Sequence, residues 1–90
     1  PNDHLFRYGG EEFVVLCEGL DHHGALLRAE QLRQRVLSDV TASDKSAVTV
    51  SIGIASTPID GTATRDLLSK ADMRLYEAKR RGRNCVVGNA

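Results

Sequence analysis

Apolar residues follow two different rhythms along this ninety-residue chain, and the changes of rhythm divide it into six elements. Asp3 to Tyr8 and Phe13 to Cys17 are β-leaning runs separated by Gly9-Gly10-Glu11-Glu12. Because glycine tolerates positive φ, this pattern predicts a hairpin that turns near Gly9–Glu12. The Val14-Val15-Leu16 run predicts that the second strand is buried on both faces. After a loop over 19–24, apolar residues recur at Ala25, Ala29, Leu32, Val36 and Val40, joined by Leu26 and Leu37. That spacing predicts a helix, with Arg28, Glu30, Arg33, Gln34 and Arg35 left mostly to solvent. Thr41 to Ser46 reads as a polar loop, and the alternation Val48, Val50, Ile52, Ile54 predicts a strand.

Pro58 and the Asp60-Gly61 pair place a loop over Thr57 to Ala63. A second helix follows, with Thr64 as its expected cap and Asp66 suiting the dipole of its first turn. Leu68, Ala71, Leu75 and Ala78 form its expected buried stripe, and Gly82 stops it after Lys79, Arg80 and Arg81. Cys85 to Val87 is a short final strand. The order ββαβαβ predicts an α+β fold with helices packed on a mainly antiparallel sheet.

Composition narrows the function classes. Lys and Arg number twelve, as do Asp and Glu, so no global charge draws in a nucleic acid polymer or an anionic membrane, and any anion site is local. No apolar run approaches the roughly 20 residues that span a bilayer, and no signal-peptide pattern opens the chain. A cytoplasmic setting is expected, and it suits Cys17 and Cys85, read as reduced core thiols outside any CxxC pair. His4, His22 and His23 lack metal-ligand spacing with either cysteine. The His22-His23 pair reads as a solvated loop or helix start.

Two clusters could carry chemistry. In Gly9-Gly10-Glu11-Glu12 the glycines let a phosphate or sugar approach the backbone, and the adjacent carboxylates repel unless a cation sits nearby. A hard divalent ion such as Mg²⁺ takes carboxylate oxygens and shares them with substrate phosphates. Successive strand residues point to opposite faces, so both glutamates reach one ion only if the turn is irregular. Taken alone, a solvent-exposed acidic turn is the simpler reading. Lys79 and Arg83 lie four apart and could hold a polyphosphate if the helical turn persists through Gly82. Alone, these cations are as readily a helix C-terminus favoured by the macrodipole. Tyr76 reads as a partly buried packing residue.

Together these pieces resemble the GGDEF family of diguanylate cyclases. The signature appears as Gly9-Gly10-Glu11-Glu12-Phe13, Val48 to Ala55 is similar to the family's TVSIGIA strand, and residues 67–84 follow its pattern LL..AD.ALY.AK..GRN. One departure is Arg74, where the family usually has alanine, and it is expected to alter only a helix surface. The resemblance covers nearly the whole chain in order and spacing. It implies part of a nucleotide-cyclase or ferredoxin-like palm fold, with residues 1–90 as the C-terminal portion of a GGDEF domain.

The activity it implies is condensation of two GTP into cyclic di-GMP with release of pyrophosphate, using Mg²⁺ or Mn²⁺. By motif position, Glu11 would ligate the metal and assist hydroxyl deprotonation, with Glu12 in support as the second catalytic carboxylate. Gly9 and Gly10 would let the hairpin press against the nucleotide, and Lys79 and Arg83 would contact the distal phosphates. Asp3 falls where many members place the aspartate of an RxxD product-binding site, whose arginine would precede Pro1. The resemblance also implies a homodimer for activity, an upstream sensor or receiver domain, and a parent that could be membrane-anchored through another domain.

Family members carry a strand and two helices ahead of the hairpin, supplying another metal-binding aspartate and the guanine-recognising residues. Without them, the ninety residues alone are expected to be inactive and prone to associate. Two other readings compete with a catalytic domain. A non-catalytic module would bind cyclic di-GMP or GTP without making product, which the intact GGEEF turn argues against. A generic ferredoxin-like RNA-binding sheet would want exposed aromatics, and the chain has only two Phe, two Tyr and no Trp.

Overall fold

A computed structural model describes residues 2–18, 22–43 and 49–89, with side chains for all of these except residues 2, 3 and 39–43. The elements are β1 (Asn2–Gly9), β2 (Glu12–Glu18), α1 (His22–Ser43), β3 (Ser51–Thr57), α2 (Thr64–Arg80) and β4 (Val86–Val87). The expected order ββαβαβ is therefore present. Residues 19–21 of the expected loop over 19–24, residues 44–46 of the loop expected from Thr41, and Val48 lie outside the described residues, while α1 takes up 22–24 and 41–43 of those two loops.

The strands form one sheet in the order β1-β2-β3-β4. Only β1 and β2 pair antiparallel, whereas β2/β3 and β3/β4 pair parallel. The expectation of a mainly antiparallel sheet is corrected on this point. A tight turn reverses the chain between β1 and β2, but a helix intervenes at each later connection and returns the chain to the end from which it started.

The two helices cover opposite faces. Val15, Cys17, Ile52 and Ile54 pack with Ala25 and Ala29 of α1, with Leu26 and Val36 at the margin. Val14, Leu16 and Ala55 pack with Leu67, Ala71 and Leu75 of α2. Strand β2 is thus buried on both faces from Val14 to Cys17, as its apolar run predicts. Strand β3 is buried from Ser51 to Ser56, so its small alternate residues face a helix rather than water.

Gly53 shows why they are small. A Cβ there would lie 2.2 Å from the Ala71 carbonyl oxygen and 2.4 Å from the Leu75 nitrogen. Gly53→Ala is therefore expected to push α2 off β3 and cost about 1–3 kcal/mol. Chemical denaturation reads the effect, and an unchanged midpoint would show that the helix yields freely.

Helix α1 begins at His22, ahead of the expected start. His22 Nε2 donates to the Gly88 carbonyl at 2.8 Å, which leaves Nδ1 to accept from the Ser56 hydroxyl. This histidine is a half-buried tie between the helix start and the chain beyond β4, not a solvated group. Of the predicted α1 stripe, Ala25 and Ala29 are buried, Leu32 is largely exposed, and the Val40 side chain lies outside the described residues.

Helix α2 is capped by Ala63 with no side-chain hydrogen bond, so Thr64 is its first residue rather than its cap. Leu67, Ala71, Leu75 and Ala78 are buried, while the predicted Leu68 is only partly so. At the other end Gly82 donates to the Lys79 carbonyl and Arg83 to that of Ala78, with Gly82 at φ 111°. This Schellman arrangement ends the helix where the glycine predicts.

Arg74 is the largest surprise of the fold. Its side chain is only 7% exposed and forms a two-pronged pair with Asp60, at 2.8 and 2.9 Å, while Nη1 also donates to the Ile54 carbonyl. The expected change to a helix surface is corrected: position 74 faces the sheet, and its cation needs a buried counter-charge from the preceding loop. Tyr76 is corrected in the opposite sense. It is 66% exposed, because it sits beside Leu75 and so about 100° round the helix from the buried stripe.

Candidate functional site

The hairpin tip consists of Gly10 and Glu11 between β1 and β2. Neither Gly9 nor Gly10 has positive φ, which corrects the basis on which the turn is expected. Pairing runs from Arg7–Phe13 directly to Gly9–Glu12, so Tyr8 is the extra residue of a β-bulge. Arg7 Nε and Nη2 donate to the Gly9 and Gly10 carbonyls at 3.1 and 3.2 Å, holding the tip from outside. Partial burial of Tyr8, together with the neighbouring Asp72 carboxylate of α2, raises its pKa above the ordinary tyrosine range.

Backbone strain does not explain Gly10. A Cβ there would meet nothing within 4 Å. The residue leaves open space beside the turn, as close approach by a ligand would require. Glu11 is exposed at the tip, and its carbonyl accepts from the Ser51 nitrogen of β3 at 2.9 Å.

Glu12 turns toward α2. Its Oε1 lies 3.5 Å from Lys79 Nζ and its Oε2 lies 3.2 Å from Arg83 Nη1. The bulged hairpin and the helix end thus bring Glu12, Lys79 and Arg83 together, even though the helical turn stops before Gly82. Arg80 and Arg81 both pair with Glu77, so the basic run is divided into two groups. Partly exposed pairs like these contribute only roughly 0–1 kcal/mol, so an incoming phosphate can displace Glu12 from the cations.

Beyond Gly82, Arg83 and Asn84 have φ of 67° and 51°. A non-glycine residue held in this region costs on the order of 1–3 kcal/mol unless its surroundings fix it. Asn84 donates its backbone N–H to the Ser51 hydroxyl at 3.2 Å, and Cys85 accepts from the Ile52 nitrogen at 3.0 Å.

The donor set bears on a metal ion. Among the described residues no group of three or more His, Cys, Asp or Glu gathers as a cage. Glu11 offers one hard carboxylate at an open turn. That fits an ion which completes its shell with water and substrate phosphates, not one held by protein alone. Glu12, engaged by two cations, is directed away from such a role in this arrangement.

The backbone of Asp3 pairs with Cys17 in β1, and its side chain lies outside the described residues. Cys17 is buried and Cys85 half-buried, and neither forms a disulfide. No helix among the described residues is long and apolar enough to cross a membrane. Sequence reasoning missed the Asp72 carboxylate beside Tyr8 and the Arg7 clamp. The placement of Arg7 two residues before Gly9 is the one signal that could have suggested the latter.

An open glycine turn presenting a carboxylate lies beside two cations that converge on one point, an arrangement that could take a phosphorylated ligand. The chain belongs to the GGDEF family: the model described as diguanylate cyclase, GGDEF domain, matches residues 1–85. Over 88 residues it is 43% identical to the response regulator PleD of Caulobacter vibrioides, covering 93% of this chain and 19% of PleD. It is 38% identical over 87 residues to diguanylate cyclase A of Treponema denticola, covering 94% of this chain and 24% of that protein. The diguanylate cyclase DosC of Escherichia coli is 36% identical over 87 residues, covering 94% of this chain and 19% of DosC. The chain thus spans about a fifth to a quarter of the length of these relatives. No solved structure matches it.

Proposed function

We propose that the protein carrying this domain condenses two GTP into cyclic di-GMP and pyrophosphate. The observation that carries the reading is that Lys79 and Arg83 both meet Glu12, next to the exposed Glu11 of the same turn. In the reaction, each 3′-oxygen bonds the α-phosphorus of the other nucleotide, and the bond from that phosphorus to the bridging oxygen of the β-phosphate breaks.

Each chain residue has a distinct task. Gly9 and Gly10 leave room for the nucleotide against the hairpin. Lys79 and Arg83 exchange Glu12 for the distal phosphates, and Glu11 accepts the 3′-hydroxyl proton and offers the metal its carboxylate. Glu12 holds the two cations in place between turnovers and supports the site. A bound Mg²⁺ or Mn²⁺ would stabilise charge developing at the phosphates. GTP as substrate places this domain on the cytoplasmic side, whatever anchors the rest of the parent.

Two antiparallel domains, each presenting one GTP, would form the working unit, under control of an upstream sensor or receiver domain. Asp3 is the candidate contact for inhibitory product. Residues 1–90 alone are expected not to turn over GTP, since among the described residues Glu11 offers a metal only part of its shell. Incubating the intact protein with GTP and Mg²⁺ should yield cyclic di-GMP, whereas the ninety-residue chain should yield none. Nucleotide binding by the intact protein without turnover would favour the non-catalytic alternative. Arg83→Ala is expected to raise KM for GTP about tenfold or more, the scale of a lost hydrogen bond to a charged group. An unchanged KM would remove Arg83 from phosphate binding.

A further inference from the structure

We infer that Arg33 of α1 is a positioning residue for Arg83, acting through Asn84. The inference rests on the proposed role of Arg83 in holding the phosphates of GTP. Helix α1 covers the face of the sheet opposite α2, yet one of its side chains reaches the loop that carries Arg83.

The Arg33 side chain is only 16% exposed. Its Nε and Nη2 are both taken by Glu30, the first at 2.9 Å to Oε1 and the second at 2.5 Å to Oε2. Gln34 Nε2 donates to the same Glu30 carboxylate at 2.9 Å. With that edge of the planar guanidinium fixed, Nη1 is aimed at Asn84 Oδ1, which it meets at 2.7 Å. A guanidinium holds such a direction better than a flexible ammonium group, because its donors are set in one plane.

The target of this bond is a strained loop. Gly82, Arg83 and Asn84 have successive φ values of 111°, 67° and 51°. A run of this kind persists at non-glycine residues only when the surrounding structure over-determines it. Upstream, the Arg83 nitrogen is held by the Ala78 carbonyl at 2.9 Å. Downstream, Asn84 is held by the Ser51 hydroxyl at its backbone and by Arg33 at its side chain. Loss of Arg33 leaves Asn84 itself on one bond, with the next anchor at the Cys85 carbonyl, and Arg83 then has more freedom to leave the place where it meets Glu12.

A merely architectural role, joining α1 to the loop, makes a different prediction. It would lower the melting temperature and the active fraction without regard to Arg83. The test uses the intact protein with Arg33→Met, Arg83→Ala and the double variant. Arg33→Met is expected to raise KM for GTP about tenfold while leaving kcat within about twofold, and to add nothing in the Arg83→Ala background, as coupled neighbours do. Asn84→Gly, whose backbone is comfortable at this φ, is expected to reproduce the KM effect without loss of folding.

Equal effects of Arg33→Met in both backgrounds would overturn the inference, as would a fall in kcat alone. Failure of the wild-type protein to make cyclic di-GMP would instead remove the proposed reaction. The same variants would then be titrated with inorganic pyrophosphate. Weaker binding in Arg33→Met, with no further loss in the double variant, supports the positioning role. Wild-type protein that binds no pyrophosphate overturns it.

Discussion

Glu11→Gln in the intact protein is expected to lower cyclic di-GMP formation by about 10²–10⁴-fold, the range spanned by a positioned acid–base group. The amide keeps the size and hydrogen-bonding reach of the side chain but can neither accept the 3′-hydroxyl proton nor give a metal an anionic oxygen. Because Glu11 is exposed and its structural bond is made by its backbone carbonyl to Ser51, the substitution should leave the melting temperature unchanged. Binding of GTP through Lys79 and Arg83 should weaken far less than turnover falls. Initial rates of product formation, measured alongside equilibrium binding of GTP, separate the two. A variant retaining more than about a tenth of the wild-type rate would exclude Glu11 as the group that handles the proton.

The second large effect concerns stability. Asp60→Ala is expected to cost about 3–5 kcal/mol, because it strands the buried Arg74 cation. The loss would be a large part of the roughly 5–15 kcal/mol that holds a small domain folded. Asp60 also accepts from the Ser56 nitrogen at 2.9 Å, so removing the carboxylate unpairs a backbone donor as well. Asp60→Asn retains an acceptor for Ser56 without the charge, so an intermediate loss is expected.

The same pair gives a pH dependence. Burial pushes the Asp60 carboxyl pKa up, but hydrogen bonds from Arg74 and Ser56 and the nearby positive charges outweigh it, so the net shift is downward. A carboxyl with a depressed folded pKa contributes stability that is complete above its ordinary pKa and is lost as pH falls through the folded value. The wild-type protein should therefore lose stability in acid more steeply than Asp60→Asn below the ordinary aspartate range. Parallel curves for the two would show that the pair adds nothing to acid stability.

Much of the fold is legible in the residues themselves, and the exceptions have definite causes. The Val14-Val15-Leu16 run announces a strand covered on both sides, and Gly82 announces the end of α2. The parallel pairings follow from the helices between strands, which the order ββαβαβ already contains. Arg74 is not legible from apolar spacing, because a buried cation carries no apolar signal. Its position three after Ala71 and four before Ala78 lies on that stripe, and Asp60 in the preceding loop is the complementary signal. His22 escaped because its partners, Ser56 and Gly88, are distant in sequence and carry no pattern.

The candidate site was legible as a set of residue types but not as a set of contacts. Gly10, Glu11, Lys79 and Arg83 stand out by chemistry and motif order. That Glu12 serves the cations rather than lying beside Glu11 depends on the bulge at Tyr8, and no local residue preference marks that bulge. The Arg33–Asn84 bond joins residues 51 positions apart in sequence and needs the folded sheet to exist.

Ser51 and Ile52, adjacent in β3, receive both halves of the site. Ser51 takes the Glu11 carbonyl and the Asn84 nitrogen, and Ile52 takes the Cys85 carbonyl. The acidic tip and the basic loop are consequently mounted on a single pedestal, and neither can travel without the other. Control over such a centre is expected to come from bringing whole domains face to face rather than from a hinge inside one. A unit of this kind is portable. If two such domains form the working unit as proposed, a regulator of any shape would need to supply only their encounter.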